Sequence, residues 1–140
     1  MNKILPDAYL KKYQQLWELI MQLENLLQKS PLVMTVVEEN CQKLQDFYQQ
    51  QIFPLGEEIF IEDIGGDGGL AVCSEIASRW RSLHTETHRS MKLLALDLSL
   101  LKAARSQQMQ EVRKKGMTDR LATLTSYCQV LLTPDSTNPT

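Results

Sequence analysis

Little in this chain can hold a metal or close a disulfide. It has two histidines and three cysteines in 140 residues. Cys41, Cys73 and Cys128 are odd in number and far apart, and no C-x-x-C occurs. That spacing offers neither a zinc ribbon nor a thioredoxin-like site, and a small disulfide scaffold would be denser in cysteine. Free thiols buried as small hydrophobes are the expectation. Glycine and proline are also scarce, six and five residues. Four of those glycines crowd into Gly65–Gly69, so most of the chain lacks the residues that interrupt regular structure. No apolar run approaches the roughly 20 residues that span a bilayer. The start, MNKILPDAYLKKYQQ, lacks the apolar stretch and small-residue cleavage site of a signal peptide. These absences predict a soluble, cytoplasmic protein with no membrane partner.

What is present is helical periodicity. The chain is 43% hydrophobic, enough for a core, and its length suggests one domain. The longest uninterrupted stretch runs from Glu75 to about Gln108. Within it Trp80, Leu83, Thr87, Met91, Leu94, Leu98 and Leu101 recur at steps of three and four, which puts them on one helical face. At about 1.5 Å per residue such a helix is about 50 Å long. Leu93, Leu96 and Leu100 add apolar surface off that stripe. The rest of the chain must cover this helix, or a second copy must, giving a homodimer through the third helix.

Three more stripes surround it. Tyr9, Tyr13, Leu16, Ile20, Leu23 and Leu27 predict a helix over 6–29. Ser30-Pro31 reads as an N-cap and first helical residue of a second helix, over 31–52, with Val33, Val37, Leu44, Phe47 and Tyr48 inward. Residues 55–73, rich in acid and glycine, read as a flexible loop. Ser74 caps the long helix. The polar run to Gly116 reads as a connector or a fraying end, with Thr118 capping a last helix over 117–132 through Met117, Leu121, Leu124, Cys128 and Leu131. Residues 134–140 read as a disordered polar tail. The fold class is all-α, a bundle of about four helices in one domain over 1–133, organised around the long third helix.

Charge divides the chain. Residues 1–78 carry five cations against twelve carboxylates, and 79–120 carry ten against four. Either the acidic half docks on the basic half, or the surface is bipolar and steers a charged partner. Arg79, Arg81, Arg89 and Lys92 fall mainly off the apolar stripe and are the candidate partner contacts. Trp80, Leu83, Leu94, Asp97, Leu98, Leu101 and Tyr127 are the candidate structural residues. Asp97 has leucines at every position three and four away, so no cation on its own helix can reach it. A cation or donor from another helix or a second subunit is required if it is buried, and Arg120 is a candidate.

The chemistry on offer is slight. His84 and His88 share a helical face at a spacing that can hold a metal. With Glu86 two residues after the first histidine they do not make H-E-x-x-H, and a surface or packing role is favoured. The GGDGG loop lacks the Lys-Ser/Thr of a phosphate-binding loop. No nucleophile and base are arranged recognisably, so no enzyme and no cofactor are expected. Nucleic-acid binding is the second reading. Arg113, Lys114 and Lys115 extend the basic set, but no helix-turn-helix or other reading motif accompanies them.

The second half resembles the cyanobacterial PatD proteins of heterocyst frequency control. The resemblance is carried by Trp80, the run Thr85-Glu86-Thr87-His88-Arg89, Leu93-Leu94, Asp97, Leu100-Leu101, Ala104-Arg105, Tyr127-Cys128-Gln129 and Leu131-Leu132. It covers about residues 79–132. It implies a small non-catalytic helical protein that binds the tubulin-like division protein FtsZ and modulates its assembly, linking division to heterocyst frequency. The alternative that the basic residues leave open is a DNA-binding or DNA-associated regulator.

Overall fold

The computed structural model describes residues 7–56 and 74–132. They form four α-helices with no strand among them: α1 Asp7–Gln28, α2 Met34–Phe47, α3 Ser74–Ala103 and α4 Gln107–Leu132. The expected frayed start, the glycine-rich part of the loop and the polar tail lie outside the described residues. Short connectors make hairpins of α1 with α2 and of α3 with α4. α1 packs between α2 and α4, α3 lies along α4, and α2 meets α3 more lightly.

α1 follows its sequence pattern closely. Asp7 stands in its first turn, where the helix dipole favours an acid. Tyr9, Tyr13, Leu16, Ile20, Leu23 and Leu27 are all buried. α2 begins later than its sequence suggests. Ser30-Pro31 is a cis peptide, and Ser30 is not the cap. Val33 holds the N-cap position in extended conformation (φ −105°, ψ 101°) with no side-chain cap bond. A β-branched residue suits that conformation better than a helical one. Val37, Cys41 and Leu44 are its buried residues.

α2 does not end at Phe47. It loosens into a π turn over Tyr48–Ile52, closed by the Phe53 amide donating to the Tyr48 carbonyl at 2.9 Å. Pro54 lacks an N–H to continue the ladder. Leu55 and Gly56, expected at the start of a loop, are instead helical and buried.

The break between α3 and α4 falls at Ala104–Ser106, well before Gly116. Ser106 supplies the cap, its hydroxyl accepting from the Met109 amide at 3.0 Å. The run to Gly116 is therefore helix rather than connector. Thr118 caps nothing; in mid-helix its hydroxyl donates to the Lys114 carbonyl at 2.9 Å. One hydrophobic core gathers residues of all four helices and the π turn. Cys41 and Cys128 are free, buried thiols within it.

Candidate functional site

The buried side of α3 carries the structural residues. Trp80, Leu94 and Leu101 are buried, and Leu83, Leu98 and, from α4, Tyr127 pack partly buried against the core. Asp97 is met from α4. Arg120 donates to it from Nε at 2.9 Å and from Nη2 at 3.5 Å, a two-pronged bond of the kind guanidinium makes with carboxylate.

The opposite side of α3 faces water. Arg79, Arg89 and Lys92 are exposed, whereas Arg81 is half-buried and engaged with a neighbour. Arg89 is held loosely by Glu86 at 3.8 Å, one turn away. Leu96 lies four residues beyond Lys92 and seven beyond Arg89, so the three share one face. Leu96 is 53% exposed. Arg79 falls about a quarter turn off that face. The four cations thus do not form one patch: Arg89 and Lys92 precede an exposed leucine on one face, and Arg79 stands apart. Periodicity alone marks Leu96 as surplus apolar surface; only the packing shows that nothing in the described residues covers it.

Cations on α4 are partly spent. Lys114 pairs with Glu111 at 3.4 Å, and Lys115 with Asp119 at 3.4 Å. In the last turn of α3, Lys102 bridges to Glu38 of α2 at 2.6 Å, joining the basic second half to the acidic first half.

Both histidines sit where the π turn meets α3. The His84 ring stacks between Trp80 (centroids 4.7 Å apart) and Phe53 (6.1 Å). It is 8% exposed, and the Phe53 backbone is its hydrogen-bond partner, while its Nδ1 is buried with none. His88 lies against Phe53 at 4.8 Å, and its Nδ1 meets the Tyr48 hydroxyl at 3.1 Å. Gly56 approaches so closely that a Cβ there would lie 2.6 Å from His84 Nε2, which explains the glycine. Burial lowers the pKa of His84, helped by the neighbouring His88; burial and Lys92 lower that of His88. Gln45 of α2 adds a bond to the Met91 carbonyl at 3.0 Å. Under the stack, the Trp80 indole lies beside Tyr13, whose hydroxyl burial holds in its protonated form.

The sequence shows Trp80 and His84 one turn apart, which signals their stacking. It gives no sign of Tyr48, Phe53 and Gly56 as their partners, because those residues are brought up by the π turn. No three metal-ligating side chains gather among the described residues, and no described helix is long and apolar enough to cross a membrane. Comparison with protein-family models, curated proteins and solved structures found no match for the chain.

Proposed function

We propose that this chain is a non-catalytic binding protein that engages an acidic protein partner through the outward face of α3. The resemblance of its second half to PatD makes FtsZ the partner to test, with modulation of filament assembly, and through it of heterocyst frequency, as the consequence. One observation carries the choice of surface: Leu96, 53% exposed, lies on the same water-facing side of α3 as Arg89 and Lys92, two turns beyond the first and one beyond the second. Exposed apolar surface beside charged side chains is a composition that protein interfaces use. FtsZ subunits are generally acidic, so the attraction has the right sign. A nucleic-acid surface fits less well, since Lys114 and Lys115 are engaged by acids on their own helix and the basic set does not run on as a stripe.

Rim charges act on association rate and salt dependence, and a central anchor on affinity. FtsZ co-sedimentation across a salt series separates them. Binding weakens as salt rises, because the screening length is about 10 Å at 0.1 M. The Arg89→Glu/Lys92→Glu double variant binds less at low salt, and Leu96→Ser loses affinity at every salt, with helical content unchanged in both. A folded double variant that binds as well as wild type at low salt removes the basic face from the interface. Absence of wild-type binding, with salt-sensitive retention of DNA, overturns the reading in favour of a DNA-associated regulator.

A further inference from the structure

The two histidines are the only ones in the chain, and both fasten the end of α2 to α3. α2 and α3 otherwise meet lightly. Histidine is the side chain whose charge changes between pH 5 and 8. We propose that this junction is a pH-operated latch: with both imidazoles neutral it holds the Tyr48–Gly56 turn on α3, and protonation of His84 releases that turn.

The geometry supplies the force. A proton on His84 would place a charge, with an unpartnered Nδ1–H, inside a stack of Trp80 and Phe53 closed by Gly56. The aromatic faces and the Phe53 backbone bond favour the cation, but desolvation of the buried ring outweighs them, so the closed junction prefers neutral His84. Other charged or titratable groups around the rings do not rescue it. From the turn comes Tyr48, bonded to His88. From α3 come Lys92, which opposes a second positive charge, and Arg81, three residues before His84. From α1 comes Tyr13, beneath Trp80, with Cys128 of α4 beyond it. No carboxylate among the described residues acts on either ring; in sequence, Glu57 and Glu58 follow Gly56. His88 is the lesser part, since its protonation merely reverses the Tyr48 bond.

The sign follows from the lowered pKa. Above the free value of 6.5 the latch is shut, and it loosens as pH falls from 6.5 through the lower folded value. Opening frees Phe53 and Gly56 first, because their amides are held only by the turn itself.

The test is amide exchange of the full chain by NMR between pH 7.5 and 5.0, corrected for intrinsic rates, alongside titration of both imidazoles. Protection of the Phe53 and Gly56 amides falls about tenfold for each unit by which the His84 pKa lies below 6.5, while protection in α1 and α4 holds. In His84→Phe, which keeps a ring but not the charge, that fall disappears. Gly56→Ala, whose Cβ cannot fit beside Nε2, shows the acid behaviour already at pH 7.5. An ordinary His84 titration with constant protection overturns the latch, and so does wild-type protection in Gly56→Ala at pH 7.5.

Discussion

An aspartate set among leucines is stable in two ways: facing water, or answered by a cation. Asp97 takes the second. Its side chain is 13% exposed and that of Arg120 32%, so water screens the pair incompletely. Removing the cation alone leaves a largely buried carboxylate unanswered, which costs more than the pair contributes. Arg120→Met should lower stability by about 1–3 kcal/mol, and adding Asp97→Leu should recover most of it. Urea unfolding of the two single variants and the double variant measures this; a neutral Arg120→Met would sink the argument. This contact could be argued from sequence, because leucines at three and four residues away forced the partner onto another element. The histidine junction could not be. Its other half lies about 30 residues upstream, on a turn whose geometry no local pattern announces.

At the scale of elements, α1 and the buried face of α3 were legible because one uninterrupted period described each. α2 and α4 were legible in their middles and misplaced at their starts. In α4 the misleading residue was Gly116, whose usual meaning is a helix end. Here it sits inside the helix, and Ser106, ten residues earlier, provides the boundary. A glycine within a helix costs roughly 0.5–1 kcal/mol relative to alanine, through the extra freedom of the unfolded chain. A Cβ at Gly116 would meet nothing within 4 Å. Gly116→Ala should therefore stabilise by about 0.5–1 kcal/mol, seen as a higher thermal midpoint. Were Gly116 the hinge of a connector instead, the same change would be neutral or harmful.

At the scale of the whole molecule, the question is whether four helices make one cooperative unit. The charge asymmetry, plain in the sequence, does not answer it, for it speaks to association and not to fold. The core does. Cys41 on α2 and Cys128 on α4 stand in a single cluster with residues of α1, α3 and the π turn. Burial pushes the Cys41 thiol up to about 11 and the Cys128 thiol up to about 12. Both stay protonated and inaccessible while the fold holds, since the thiolate is the reactive form. α2 rests chiefly on α1, α4 lies between α1 and α3, and the buried residues of all four helices belong to one core. In a Cys73→Ser background, both thiols should thus be alkylated only through global opening, with one shared dependence on urea. Mass spectrometry of the labelled peptides reads the two sites separately. Cys41 reacting at low urea, with a shallow dependence, while Cys128 stays protected would make α2 an independent unit and divide the domain.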